Sequence, residues 1–250
     1  MTTTSSILLL QGDAEASLLA DGEVALQAVF PDADVQFIRA WATRPDWLGD
    51  DASAPPAFVA DGAAGLHDVR ELLAQPHRLV VFSLFPSISV PALRDRDGGA
   101  FLAHAGLRAS WSDEQAARVA AECTELPALA PEAAAAALEP VIEALLARGV
   151  AVAVTNAFRR VREPLEFRGT GGQRSLRERL RALNLEIARL SQRTGCFVLD
   201  FDRPLAQEGG APLDADCYGG GERAAEIALD EFAALVLDAL PDGLPSPEAT

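Results

Sequence analysis

At 250 residues and 49% apolar, the chain is long enough to bury one large core and too apolar for a disordered segment. A net charge of −16 argues against nucleic acid or an anionic membrane surface as partner, since phosphate binding needs a positive field, and no apolar run approaches the ~20 residues of a membrane span. Three cysteines, Cys123, Cys196 and Cys217, are too few and too scattered for a disulfide framework or a zinc site and are expected as reduced thiols. Residues 1–6 carry no Lys or Arg, so no secretory signal is expected and a cytoplasmic location is.

Ile7, Leu8, Leu9 and Leu10 form a branched apolar run too short for a helix and closed by Gly12-Asp13. It reads as a buried parallel strand opening into a turn. Residues 14–30 place Leu18, Leu19, Ala25, Leu26 and Val29 at roughly helical spacing, and residues 34–39 alternate as a strand. Residues 43–56 read as a loop, residues 57–60 as a short strand closed by Asp61-Gly62-Ala63-Ala64-Gly65, and residues 67–74 as a helix. Residues 78–84 make the strongest strand, ended by Pro86; residues 91–112 are expected to be irregular, with a helical turn or two.

Helices are expected over residues 113–122 and 128–148, the second kinked or divided by Pro140. Residues 150–155 read as a strand and 159–174 as an arginine-bearing loop. Ser175 is placed to cap a long helix that Gly195 stops. A last strand over 196–201, a loop over 205–221 and an amphipathic helix over 222–240 follow, with a frayed tail over 241–250. Strands separated by helices, without adjacent hairpin signals, predict one α/β domain over residues 1–240 with a mostly parallel sheet covered on both faces.

In such a sheet ligands sit outside the carboxyl ends of the strands, so the turn Gly12-Asp13-Ala14 is the first candidate for chemistry. Asp13 either binds a ligand hydroxyl or caps the helix that follows. Ser87 and Ser89, past the central strand, are candidate polar contacts or turn caps. His67 is the histidine to consider as a base, at an expected helix start, whereas His77 and His104 are read as structural. Asp200-Phe201-Asp202 and Asp214-Ala215-Asp216 have the form of a metal-holding Asp-x-Asp, a pattern common in acidic chains, and no metal is assigned. A catalytic thiolate at Cys217 needs an activating partner, and none can be named.

All 21 basic residues are arginine, and ten of them fall between Arg159 and Arg193 against four glutamates, a local excess of six positive charges. Arg159, Arg160, Arg162, Arg168, Arg174 and Arg177 bracket Gly169-Thr170-Gly171-Gly172, which leads into a helix N-terminus. Flexible backbone, N–H groups and guanidinium forks suit a phosphate or carboxylate; the alternative is a solvated, salt-bridged helix face.

The order of these elements resembles the SGNH, or GDSL-type, hydrolase superfamily over nearly the whole chain. Its members carry Gly-Asp-Ser after the first strand, a Gly in a second block, Gly-x-Asn-Asp after the central strand, and Asp-x-x-His before the final helix. Here the first block reads Gly12-Asp13-Ala14, the second falls on Asp61-Gly62-Ala63-Ala64-Gly65, the third near Leu84-Phe85-Pro86-Ser87 and the fourth near Asp214-Ala215-Asp216-Cys217. The resemblance implies a three-layer α/β/α, flavodoxin-like fold with a mostly parallel five-stranded sheet.

Only Gly65 matches its block outright. The nucleophile position is Ala14, the Asn position is Ser87, and no histidine follows His104. The opening is also similar to the WcbI-like polysaccharide-biosynthesis family, an SGNH-fold branch whose members begin Gly-Asn-Cys-Gln at this turn. Gly12-Asp13-Ala14-Glu15 is the matching tetrad, and Val80-Val81-Phe82-Ser83-Leu84-Phe85-Pro86 resembles that family's apolar strand running into Phe-Pro. These resemblances imply acyl-group chemistry on a carbohydrate or small polar substrate, with coenzyme A as a bound cofactor and an acyl-coenzyme A as donor. Ala14 and Gly65 can supply oxyanion N–H groups without a side chain. The alternative is a pseudoenzyme that binds a ligand or a protein partner.

Overall fold

The computed structural model describes residues 5–11, 35–41, 44–48, 58–61, 65–89, 92–94, 96, 100–102, 111–157, 175–207 and 222–240. Five parallel strands make the central sheet: β1 (Ser5–Gln11), β2 (Val35–Trp41), β5 (His77–Ser83), β9 (Ala151–Thr155) and β10 (Phe197–Leu199). Their spatial order is β10-β9-β5-β1-β2. The strand order therefore reverses between β1 and β5, the switch point of a flavodoxin-like sheet.

The apolar run of the first strand is buried on both faces, with Ile7 and Leu8 at 0% exposure. Because successive side chains point to opposite faces, each inner strand divides between two cores. Leu8, Leu10, Val80, Phe82, Val152 and Val154 pack with Leu138, Ile142, Leu180, Leu183 and Ile187, on the helices α4 (Pro131–Ala147) and α5 (Leu176–Thr194). Ile7, Leu9, Leu79, Val81 and Ala153 pack with Ile227, Phe232, Leu235 and Val236, on α7 (Glu222–Ala239). This is the expected α/β/α arrangement, a parallel sheet with helices on both faces.

Local chemistry explains where the long elements begin and end. Ser175 accepts from the N–H of Glu178 at 3.2 Å, and the Glu178 carboxylate accepts from the N–H of Ser175 at 3.0 Å, a capping box that starts α5. Gly195, at φ 79°, ends it in the left-handed conformation. Ser112 and Gln115 form the same box on α3 (Asp113–Glu122). Pro140 does not divide α4, which runs unbroken across it. Pro140 and Ala136 both lie on the exposed side, so the carbonyl that loses its i+4 donor faces water.

Several short elements differ from expectation. Residues 67–74 are not one helix: β4 (Gly65–Asp68) pairs antiparallel with β3 (Phe58–Asp61), and helix α1 starts only at Val69 and ends at Ala74. Asp61 is in register with Gly65, so the small-residue stretch joins a hairpin instead of closing a lone strand. Residues 91–112 contain β6 (Ala92–Arg94) and β7 (Ala100–Leu102), which join β8 (Thr124–Leu126) in a second antiparallel sheet ordered β7-β6-β8. Residues 43–56 include a 3-10 turn, Pro45–Trp47. The helices α2 (Phe85–Ser89) and α6 (Asp202–Gln207) were not expected, and α6 takes the first residues of the expected loop over 205–221. The expected helix over residues 14–30 and the tail over 241–250 lie outside the described residues.

Candidate functional site

The carboxyl ends of the parallel strands form one edge. Leu10 is in register with Phe82, Ser83 with Thr155, and Thr155 with Leu199, so Gln11, Ser83, Thr155 and Leu199 end their strands side by side. Gly12, Asp13 and Ala14 follow directly on Gln11 at the switch point, and lie outside the described residues.

Beyond β5 the chain enters α2, and Ser87 on it has 0% exposure. Its carbonyl accepts from the Leu129 N–H at 2.8 Å. Ser89 donates its hydroxyl to the Phe85 carbonyl at 2.7 Å, an intrahelical bond. Arg179, 8% exposed on the first turns of α5, donates from Nε and Nη2 to the Ile88 carbonyl and from Nη2 to the Leu129 carbonyl. The floor of the edge beside β5 is thus a clamped unit of α2, α5 and the segment before α4.

Beyond β9, Asn156 holds the two outer strand exits together. Its N–H donates to the Leu199 carbonyl at 3.1 Å, and its carboxamide oxygen accepts from the N–H groups of Phe201 at 2.8 Å and Asp202 at 3.2 Å. Its Nδ2 donates to Asp200 Oδ1 at 2.6 Å, an oxygen that also accepts from the Arg203 N–H at 3.1 Å. The Asn184 carboxamide then takes both backbone groups of Ala157, at 2.8 and 2.7 Å. The residues on either side of positions 158–174 are therefore fixed: Ala157 by Asn184, and Ser175 by its capping box.

Of the residues expected at the site, Ser87 stands at the carboxyl edge and Arg177 on the first turn of α5, half-buried. Gly65 and His67 stand on the hairpin, where His67 is in register with Val59; His67 is on a strand and not at a helix start. Arg159, Arg160, Arg168, Gly171, Arg174, Asp214 and Cys217 lie outside the described residues, as do Arg162 and His104. Asp200, read as half of an Asp-x-Asp pair, is occupied with Asn156 and Arg203. Asn156, Arg179 and Asn184 were not singled out from sequence. The one available signal was an Asn immediately after the strand 151–155.

His77 lies at the opposite, amino edge of the sheet, 5% exposed. Its Nε2 is 2.6 Å from the Leu72 carbonyl, which can only accept, so Nε2 carries the proton and Nδ1 accepts from the Ser6 hydroxyl at 2.7 Å. Burial holds the imidazole below its ordinary pKa; the bond to Leu72 opposes that shift and the Arg148 guanidinium adds to it. This histidine is structural, as the sequence suggests.

No family model matches the chain, and no curated protein matches it. Among solved structures, a candidate SGNH hydrolase from Slackia heliotrinireducens aligns at a TM-score of 0.51 and 15% identity, covering 93% of this chain and 98% of that one. The chain has the fold of the SGNH hydrolases. LAE5, an alpha/beta hydrolase from the metagenome of Lake Arreo, aligns at 0.48 and 12% identity over 96% of this chain and 95% of its own. The psychrotrophic esterase EstA from Pseudoalteromonas sp. aligns at 0.47 and 15% identity over 95% and 99%. In the SGNH fold of this chain, the carboxyl edge between β1 and β5 is the candidate site. Among the described residues no helix is long and apolar enough to cross a membrane.

Proposed function

We propose that this SGNH-fold chain works in acyl-ester chemistry on a carbohydrate or other small polar substrate, without forming an acyl-enzyme. The observation that carries the reading is the switch point itself: β1 and β5 part there, and Gly12-Asp13-Ala14 follows β1 at the edge where open α/β sheets bind ligands. The solved neighbour from Slackia, described as a candidate SGNH hydrolase, supports hydrolase-type chemistry at this edge. Ala14 has no hydroxyl or thiol to acylate. In this reading a bound substrate hydroxyl attacks the acyl carbonyl of the donor directly and the donor's thiolate leaves. The hydroxyl proton passes to Asp13 or His67, and backbone N–H groups of Ala14 and Gly65 hold the oxyanion. On the resemblance to SGNH hydrolases, Asp214 and Cys217 fall near the block that carries Asp-x-x-His in that superfamily.

The donor we propose is an acyl-coenzyme A. Its phosphates match the arginine-rich stretch of Arg159, Arg160, Arg168, Gly171, Arg174 and Arg177, whose flanking residues Ala157 and Ser175 are held by Asn184 and the α5 cap. We take the protein as cytoplasmic and as one domain through residue 240. A second reading, a pseudoenzyme that binds its ligand or a protein partner without turnover, is favoured by Ala14 together with the lack of any histidine after His104.

A thermal-shift panel of coenzyme A, acetyl-coenzyme A, nucleotide sugars and phosphate tests the donor assignment. A ligand at 100 times its Kd stabilises by about 2.7 kcal/mol, a rise in Tm of roughly 5 to 10 °C at this size. A shift with coenzyme A that vanishes in the Arg168→Ala/Arg174→Ala double variant supports the reading. A flat response to the panel removes it and leaves the protein-binding reading.

A further inference from the structure

Two helix faces of the molecule carry opposite charge, and each holds an exposed leucine. On α5, Arg177, Arg181, Leu185, Arg189 and Arg193 stand four residues apart and form one row along the helix, exposed from Arg181 onward. On α7, Glu226, Asp230, Ala234 and Asp238 form a second exposed row at the same spacing, with Leu237 beside Asp238. Leu185 and Leu237, at 52% and 56% exposure, are the large apolar side chains left in solvent among the described residues.

Like charges one helical turn apart repel, so each row gains by meeting the opposite sign. Arg189 is paired with Glu186 on its own helix and Arg193 with Glu139 on α4, whereas Arg181, Asp230 and Asp238 form no ion pair among the described residues. The two rows cannot meet within one chain: α5 packs through Leu180, Leu183 and Ile187 on one face of the sheet, and α7 through Ile227, Phe232 and Leu235 on the other. We propose that the acidic row of α7 docks on the arginine row of α5 in a second copy of this chain, with Leu185 and Leu237 inside the contact. Both rows advance by about 6 Å per step. With Leu185 set against Ala234, Arg181 and Arg189 fall opposite Asp230 and Asp238 whichever way the helices run. Each copy presents the two rows on opposite sides, so the contact is head-to-tail and passes from copy to copy instead of closing as a two-fold dimer.

The test is sedimentation equilibrium of the full chain over a range of protein concentrations, with far-UV circular dichroism recorded for each variant. A net charge of −16 makes the copies repel one another at long range. The measurement is therefore made at about 0.1 M salt, where the screening length is about 10 Å, and again at about 1 M, where it is about 3 Å. At the lower salt the average mass should rise with concentration beyond that of a dimer, and at the higher salt it should return to that of the monomer. Arg181→Gln/Arg189→Gln and Asp230→Asn/Asp238→Asn should each weaken self-association by roughly tenfold or more, since each removes the charge pairs of the contact. Mixed together, the two double variants should form a one-to-one pair that grows no further, because one keeps the acidic row and the other the arginine row. Leu185→Ser should weaken the contact with all charges in place.

A wild type that stays monomeric at both salt concentrations would overturn the proposal. So would an association that stops at a dimer, one that both double variants retain, or a mixture of the two variants that forms no pair while the wild type associates. The substituted positions are exposed, so circular dichroism should match the wild type throughout. None of them belongs to the carboxyl edge of the sheet, and the proposed acyl-ester chemistry stands or falls separately.

Discussion

Arg179 directs two donors at a single carbonyl, that of Ile88, with Nε at 3.1 Å and Nη2 at 2.9 Å. Nη2 also reaches the carbonyl of Leu129. Ile88 is fully buried and Arg179 nearly so, so a charged fork on α5 fastens both the short helix after the central strand and the segment entering α4. Arg179→Met would leave two carbonyls without these donors, at roughly 1–3 kcal/mol each. We expect urea unfolding to show a loss of about 3 kcal/mol. Arg179→Lys, which keeps the charge but not the planar fork, should recover only part of it. A change below about 0.5 kcal/mol, the range of ordinary surface substitutions, would show that the clamp is not needed.

The sheet's other end carries a pH dependence. The folded-state pKa of His77 lies below its ordinary value of 6.5. The unfolded chain therefore binds a proton that the folded chain does not as pH falls through that value, and stability falls with it. The contribution of His77 is complete above 6.5 and is lost progressively below. Unfolding followed from about pH 7.5 to pH 5.5 should show a shallower decline in His77→Gln, which can still donate to Leu72 and accept from Ser6 without titrating. Parallel declines in the two proteins would contradict this.

Cys196 is 2% exposed, and burial pushes its thiol above the usual range despite the opposing bond to Thr194. The thiolate is the reactive form. Alkylation by iodoacetamide in the native protein, mapped by peptide mass spectrometry, should leave Cys196 unmodified, and denaturant should make it reactive. Rapid native labelling would mean that the end of α5 opens readily.

Gly195, at φ +79°, has no atom within 4 Å of the place a Cβ would take. The cost of Gly195→Ala is therefore backbone strain alone, about 1–2 kcal/mol. Gly149, at φ +77° with the same open surroundings, should behave alike. Unchanged stability in both variants would place these turns outside the cooperative unit.

How much of this was legible in the sequence follows from where each signal is local. The limits of α5 could be read because Ser175, Glu178 and Gly195 act within a few residues of the helix ends. The buried strands 7–10 and 78–84 could be read because a parallel strand covered on both faces is apolar without interruption. The hairpin of β3 and β4 was missed because Leu66, His67 and Asp68 run straight into a helix, and four residues give no period to separate strand from helix. Pro140 misled because its cost depends on whether the bereft carbonyl meets water, which is a tertiary fact. Asn156, Asn184 and Arg179 were invisible for the same reason: their partners lie 27 to 91 residues away.

The most direct test of the central claim is to incubate the protein with acetyl-coenzyme A and a polyol acceptor, following free coenzyme A by chromatography and the intact protein by mass spectrometry. The account predicts that free coenzyme A accumulates, with acetylated polyol, while the protein mass stays unchanged, because Ala14 cannot be acylated. An acetylated protein on the path to product would contradict direct transfer. No release of coenzyme A, with saturable binding retained, would contradict catalysis and leave the pseudoenzyme reading in its place.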